Sequence, residues 1–298
     1  MKKISVILLA VCAAGVLSSY ETMDEAYKAG TTYRNNKDYK KALAAYEEAG
    51  KQAKNPQQKA SAEFMSGIIL CEDKQYEKGI ARLRKALAAA QTDGQRVSCQ
   101  FHIAYYLGVM RKYEEAIAEM RKVQEFGREG IKNDYIGRAD SYIGTYLFNL
   151  KRYEEAIDAV RDACRSENTL TAFVALNISY RAHKELKNNE AMMTAVDGLL
   201  NLNEPRPYMF FTARQYAFER ARSQKNHGLA LRYADEIVSN MDLEPKHRAY
   251  GVYYKALCYN ALHEKKKELA QWKLLKDCGV KYLESLSVSH IKRLQKRR

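Results

Sequence analysis

The residues that could do chemistry in this 298-residue chain are scattered along it. Paired carboxylates such as Glu114–Glu115 and Glu154–Glu155 could act as an acid and a base. Each pair, however, opens a predicted helix, where the helix dipole favours negative charge. The six histidines show no two-histidine metal spacing: His102, His183, His227, His247, His263 and His290. With no phosphate-binding, dinucleotide-binding or hydrolase motif either, the sequence predicts no enzyme, no metal site and no cofactor.

The amino terminus has the pattern of a bacterial secretory signal. Lys2 and Lys3 precede an apolar run from Ile4 to Leu17. As a helix this run would reach about 21 Å, which is short of a bilayer core. The sequence therefore predicts a cleaved signal peptide at residues 1–19 and export to the periplasm or cell envelope. Cys12 could carry a lipid anchor, but Val11 departs from the lipoprotein pattern and disfavours that form.

The cysteines beyond this segment do not form a recognisable framework. They are odd in number and contain no C-x-x-C motif: Cys71, Cys99, Cys164, Cys258 and Cys278. Disulfide scaffolds and structural zinc sites need paired or clustered cysteines. We expect these five to be free thiols that act as small buried hydrophobes.

The elements that would position any site are revealed by an internal repeat. "RKYEEAIAEMRK" at 111–122 returns as "KRYEEAIDAVRD" at 151–162. Aligned on this motif, one small residue recurs at Ala42, Gly79, Ala116, Ala156, Ala191, Ala230 and Ala270. Twelve residues earlier lie Gly30, Gly67, Ala104, Gly144, Ser179, Phe218 and Cys258. A polar turn separates each pair, so each unit is predicted to be a helix, a short turn and a second helix whose backbones approach closely.

This pattern resembles the tetratricopeptide repeat family. Gly30-x-x-Tyr33 followed by Ala42-x-x-x-Tyr46 matches the repeat motif most closely. All four prolines fall between the predicted repeats, as a helix interior would require. The resemblance implies an all-α fold, an α-solenoid (superhelix) of about seven helical hairpins over residues 20–278.

The resemblance also implies a ligand site. In this family, positions 2, 5, 9 and 12 of each first helix tend to face the concave groove, counting the first small residue as position 8. The implied groove residues are Tyr27, Arg34, Phe64, Phe101, Tyr105, Arg138, Phe148, Phe173, Tyr180, Gln215 and Arg222. Position 9 never holds the asparagine that some relatives use to clamp a terminal carboxylate, so an aromatic groove for an extended peptide is the expectation.

Positive charge is concentrated near the carboxy terminus. The formal net charge is +14, and residues 263–298 hold eleven lysines or arginines against four acids. Residues 279–298 are predicted to form a basic capping segment with a basic surface of Lys292, Arg293, Lys296, Arg297 and Arg298. An exported protein rarely meets nucleic acid, so anionic lipid or a cell-wall polymer is the favoured ligand of this surface. The alternative is a solubilising cap that binds no ligand.

Together these patterns predict a non-enzymatic scaffold of the bacterial cell envelope that binds a protein or an extended peptide. The alternative is an accessory protein that binds carbohydrate or a cell-wall polymer, since aromatic rings on a concave face also stack on sugars.

Overall fold

The computed structural model describes residues 22–128 and 134–296, so the predicted signal peptide, Cys12, Arg297 and Arg298 lie outside the described residues. Within those ranges no strand occurs, and the helical fold class predicted from the repeats is confirmed. The α-helices are α1 (Met23–Asn35), α2 (Tyr39–Lys51), α3 (Pro56–Glu72), α4 (Tyr76–Ala89), α5 (Asp93–Val109), α6 (Tyr113–Arg128), α7 (Asp134–Asn149), α8 (Tyr153–Val160), α9 (Thr169–Glu185), α10 (Asn189–Leu200), α11 (Pro207–Ser223), α12 (His227–Ser239), α13 (Pro245–Ala261), α14 (Lys265–Leu274) and α15 (Lys281–Lys296). They form seven hairpins, α1–α2 to α13–α14, followed by α15.

The helices begin where the sequence supplies the right backbone chemistry. Thr22 caps α1 by accepting a hydrogen bond from the backbone N–H of the third residue beyond it. Pro56, Pro207 and Pro245 stand in the first turn of α3, α11 and α13, where no backbone donor is needed. Pro205 lies in the loop before α11. The prolines therefore mark the starts of first helices, as their placement between repeats predicted.

All seven hairpin turns share one backbone geometry. In the first, the Lys37 N–H donates to the Arg34 carbonyl at 2.9 Å and the Asp38 N–H donates to the Tyr33 carbonyl at 2.9 Å. This pair of bonds closes a helix end around a residue in the left-handed conformation, a place usually taken by glycine. Here the residues with φ between 56° and 64° are Lys37, Lys74, Arg111, Lys151, Lys187, Lys225 and His263.

The left-handed residue fixes the register of each repeat. In the first repeat, Gly30 lies seven residues before Lys37 and Ala42 lies five residues after it. The same offsets correct two repeats. In the fifth, the paired positions are Tyr180 and Met192 instead of Ser179 and Ala191; in the seventh, they are Ala256 and Glu268 instead of Cys258 and Ala270.

Small residues allow the close helix contacts that the repeat pattern implied. A Cβ atom added to Gly79 would lie 2.7 Å from the Gly67 carbonyl oxygen and 2.3 Å from the Cys71 sulfur. A Cβ added to Gly144 would lie 2.3 Å from Val160. These distances are shorter than a carbon contact permits, so a larger residue at either position would force its neighbours to move where the first and second helices cross.

The chain divides into two compact units, Met1–Ala139 and Asp140–Arg298, and the division falls within α7. The first unit contains α1 to α6 and the start of α7. The second unit contains the rest of α7 and α8 to α15, with a core that runs between neighbouring hairpins through Tyr180, Phe218 and Tyr254.

The last helix, α15, packs on the final hairpin. Leu283 is fully buried, and Ile291 and Leu294 cover Trp272 and its neighbours. Lys292 and Lys296 face solvent, as the sequence predicted. Arg293 does not remain a purely solvated cation, because it donates at 3.1 Å to the buried carboxylate of Glu268.

Candidate functional site

The first unit has an open cavity along its first helices. Its volume is about 320 Å³, and α1, α3 and α5 form its walls. Two of the predicted groove residues, Tyr27 and Phe64, line it together. The other lining residues are small or uncharged: Ala60, Ser61, Thr92, Gly94, Gln95, Ser98 and Cys99. A cavity of this size with no charged wall suits an apolar side chain.

Next to this cavity, an aromatic cluster joins α3, α5 and the start of α7. Phe64 meets the His102 ring edge-on at a centroid distance of 5.1 Å. Phe101 stacks on Tyr135 at 4.5 Å, and the Arg138 guanidinium lies 5.2 Å from the Phe101 ring. Phe101 is only 3% exposed. The expectation that Phe101 offers its ring to a ligand is therefore wrong, because Tyr135 and its neighbours cover it.

His102 is held as a neutral hydrogen-bonding group. Its Nδ1 lies 2.8 Å from the Ser98 carbonyl oxygen, an acceptor, so Nδ1 carries the proton. Burial among the rings lowers the His102 pKa, and the positive charge of Arg138 lowers it further. Burial raises the pKa of the nearby Cys99 thiol to about 12. This thiol is protonated at neutral pH and is a poor nucleophile.

Beyond the cavity, α1 and α3 are joined by an ion pair that the sequence did not predict. The Arg34 Nε atom donates to both carboxylate oxygens of Glu72, at 2.9 and 3.1 Å. Both side chains are partly exposed. The hydrogen bonds to Glu72 raise the Arg34 pKa and outweigh partial burial, which lowers it. Arg34, predicted as a groove cation, is thus paired with Glu72, which follows position 12 on α3.

In the second unit, two predicted groove rings are buried between neighbouring first helices. Phe173 is 5% exposed and meets Tyr208 edge-on at 5.5 Å. Tyr180 is 3% exposed and stacks on Tyr216 with ring centroids 3.8 Å apart. These rings pack in the core, so their assignment as open ligand contacts is wrong. For Tyr180 the cause is the register error in the fifth repeat.

The corrected register brings other side chains to the groove positions of α9 and α13. On α9 they are Val174, Asn177, Arg181 and Lys184, and on α13 they are Tyr250, Tyr253, Leu257 and Asn260. In the corrected register, position 9 of α9 is Arg181 and not Tyr180. The Arg181 guanidinium lies over the ring of Phe148, 4.2 Å from the ring centroid. Phe148, a predicted groove residue, is therefore part of this surface.

The groove positions of α9 and α11 are linked by hydrogen bonds. The Tyr216 hydroxyl donates to Asn177 at 3.1 Å, and Glu219 accepts from the Tyr180 hydroxyl and from Lys184, both at 3.2 Å. Burial and the Glu219 carboxylate raise the pKa of Tyr180. The remaining predicted residues lie on partly or fully open surface: Tyr105, Gln215 and Arg222.

Residues 22–128 and 134–296 contain neither a grouped set of metal ligands nor a helix able to span a bilayer. No three histidine, cysteine or acidic side chains there are grouped to hold a metal ion. None of the helices described combines the length and the apolar character needed to cross a bilayer.

Comparison with known proteins identifies the fold. No family model matches the sequence, and no curated protein matches it. Among solved structures, the apo form of RapI is 16% identical over 93% of this chain and 99% of that chain, with a TM-score of 0.56. A tetratricopeptide repeat protein from Parabacteroides merdae is 13% identical over 92% and 98%, with a TM-score of 0.54. The chain therefore has the helical-repeat solenoid fold of tetratricopeptide repeat proteins, as the resemblance of its repeats implied.

Proposed function

We propose that this protein is a non-enzymatic scaffold that binds an extended peptide segment of a partner protein along the first helices of its first unit. The cavity between Tyr27 and Phe64 carries this proposal. It is open to solvent, has aromatic walls, and takes about 320 Å³, enough for one large apolar side chain. The polar side chains in its wall are held in place, since the Gln95 amide donates to the Gln57 carbonyl at 3.2 Å and to the Ser61 hydroxyl at 3.3 Å.

The chemistry of the site favours binding over catalysis. The thiols of Cys71 and Cys99 are buried and keep a pKa of about 12. His102 has its proton committed to a backbone carbonyl and is enclosed by rings. A general base or nucleophile must reach a substrate in the correct protonation state, and none of these three groups does so.

A cavity-filling variant tests the proposal. Gly94 is the second residue of α5 and lines the cavity, and a Cβ atom added there meets open space. Gly94→Leu should therefore fill the cavity without a clash. It should also keep or raise the melting temperature, since glycine costs a helix about 0.5–1 kcal/mol.

Gly228→Leu is the matched control. Gly228 is the second residue of α12, is exposed, and has only an ordinary contact at 3.9 Å from an added Cβ. Peptides selected on the wild-type protein from a displayed random library should bind Gly94→Leu at least about tenfold more weakly, because an apolar anchor is displaced. Binding to Gly228→Leu should be unchanged. Equal binding to all three proteins would refute the site, and selection of no peptide by the wild type would refute the function.

The proposed location is the bacterial cell envelope, reached through removal of residues 1–19. The support is the sequence pattern of Lys2, Lys3 and the apolar run that follows. Fractionation of expressing cells and amino-terminal sequencing of the protein test this location. Recovery of the uncleaved chain from the cytoplasm would contradict it.

A further inference from the structure

Exposed positive charge gathers on one face of the second unit. At the groove positions of α9 and α11 stand three cations, Arg181, Lys184 and Arg222, all exposed. The same positions hold one acid, Glu219. Glu185, the last residue of α9, is also exposed, and the cations outnumber the acids even when it is counted.

The cations on this face are incompletely neutralised. Lys184 shares Glu219 with the Tyr180 hydroxyl. Among the residues that the structure describes, Arg181 lies over Phe148 and has no carboxylate partner, and Arg222 has no ion pair. A guanidinium on an aromatic face keeps its outward donors available for a second partner.

Other cations on α11 and α13 form ion pairs with acids. Those that point toward second helices each meet an acid there: Arg214 with Glu236 at 3.1 Å, Arg220 with Asp197 at 2.5 Å and Lys255 with Asp235 at 2.6 Å. The cations that pack against second helices are therefore neutralised by ion pairs. At the groove positions of the described chain, Arg181 and Arg222 have no such acid beside them.

We propose that Arg181, Lys184 and Arg222 of the second unit bind the side-chain carboxylates of an acidic peptide segment of a partner protein. This inference rests on the proposed peptide-binding function and adds the charge of the ligand. Arginine presents a planar fork of donors that matches a carboxylate. The amide of Asn177 and the rings of Tyr216 and Tyr253 border the cations and supply neutral contacts for the intervening residues.

The probe for the test is a fluorescein-labelled peptide of alternating glutamate and serine, compared with the same peptide carrying glutamine for glutamate. Binding to the purified protein is followed by fluorescence anisotropy at several salt concentrations. The acidic peptide should bind more tightly than the glutamine peptide, and added salt should weaken it, because the contacts are between exposed charges.

The variant Arg181→Gln with Arg222→Gln should bind the acidic peptide about tenfold more weakly, since each exposed pair is worth up to about 1 kcal/mol. The matched control is Lys266→Gln with Lys273→Gln, which removes the same charge from exposed sites on α14 and should change little. Glu219→Gln removes the acid that competes for Lys184 and should tighten binding about threefold. The variant Arg181→Lys with Arg222→Lys keeps both charges but loses the planar guanidinium groups. It should therefore lose most of the part of its affinity for the acidic peptide that depends on paired guanidinium–carboxylate hydrogen bonds.

Three outcomes would overturn the inference. The first is equal weakening by the arginine and the α14 lysine pairs, which would show that only net charge matters. The second is weaker binding by Glu219→Gln. The third is sedimentation with vesicles of anionic lipid that needs Arg181 and Arg222 while the acidic peptide does not bind, which would assign the face to a membrane. None of these outcomes bears on Gly94→Leu, so failure of the acidic subsite and failure of the peptide cavity are distinguishable.

Discussion

Glu268→Ala should release the carboxy-terminal helix from the last repeat. In the seventh repeat this glutamate occupies a position that alanine or glycine holds in most of the others, and it is only 2% exposed. Its Oε1 atom accepts from the Trp272 indole at 3.1 Å, from Asn260 at 3.0 Å and from Arg293 of α15 at 3.1 Å. The substitution removes all three bonds together.

The magnitude follows from what each donor loses. The Trp272 N–H becomes a buried, unpaired donor, which costs about 1–3 kcal/mol. Arg293 is 43% exposed and returns to water, so its loss is at most about 1 kcal/mol. The small void left by the shortened side chain adds to these effects, and the expected destabilisation is about 2–4 kcal/mol. It should be confined to the last hairpin, α13–α14, and α15, because a repeat array transmits stability only between neighbours.

The assay is built into the chain, since Trp272 is its only tryptophan. The indole stacks on His290 at 4.1 Å, so its fluorescence reports on the docking of α15. In urea, the fluorescence transition of Glu268→Ala should move to lower concentration, and amides of α15 should exchange faster. Glu264→Ala removes a partly exposed acid one turn earlier, at the N-cap of α14, whose side chain makes no capping hydrogen bond; it should change both far less. An unaltered fluorescence transition in a folded Glu268→Ala protein would refute this account of the docking.

Three further predictions follow from single positions. Lys151→Gly relieves a left-handed φ of 62° and should raise the free energy of unfolding by about 0.5–1 kcal/mol, measured by urea denaturation; a decrease would contradict the assigned strain. Gly79→Ala forces a Cβ against Cys71 and should lower it by about 1–3 kcal/mol, whereas an unchanged melting temperature would show that the crossing can relax. Burial lowers the pKa of both His102 and His290, so the unfolded state binds protons more readily than the folded state. The stability that the two neutral histidines contribute is therefore complete above about pH 6.5 and is lost as the pH falls below that value. Thermal melts that coincide at pH 7.5 and pH 5.5 would refute this.

The hairpins could be predicted because close backbone contact imposes a local requirement on sequence. Gly67 and Gly79 lie so close to each other's helices that an added Cβ atom would meet a backbone oxygen at 2.7–3.0 Å, and glycine or alanine recurs at these two positions in most repeats. The predicted register was wrong in the fifth and seventh repeats, where contacts with other helices place a large residue at a position that is small elsewhere. Tyr180 takes a small-residue position because its ring stacks on Tyr216 of the next repeat. Glu268 takes one because its carboxylate accepts from Trp272 and from Arg293 of α15.

The candidate site was predicted less completely, since exposure depends on neighbours distant in sequence. Tyr27 and Phe64 do line an open cavity, but Phe101 is covered by Tyr135, thirty-four residues later. The pairing of Arg34 with Glu72 spans thirty-eight residues, and neither residue belongs to a motif. One signal was available: each turn carries a basic residue near its centre, and aligning on that residue would have corrected the fifth and seventh repeats.

The seven identical turns also determine how the chain meets a protease. Six of the seven left-handed residues in these hairpin turns are lysine or arginine, and the seventh is His263. Trypsin could therefore cut at the tip of six hairpins, but only after the two backbone bonds that close each turn have opened. The order in which the cuts appear would rank the hairpins by local opening. Fragments ending at residues 37, 74, 111, 151, 187 and 225 would identify each hairpin directly.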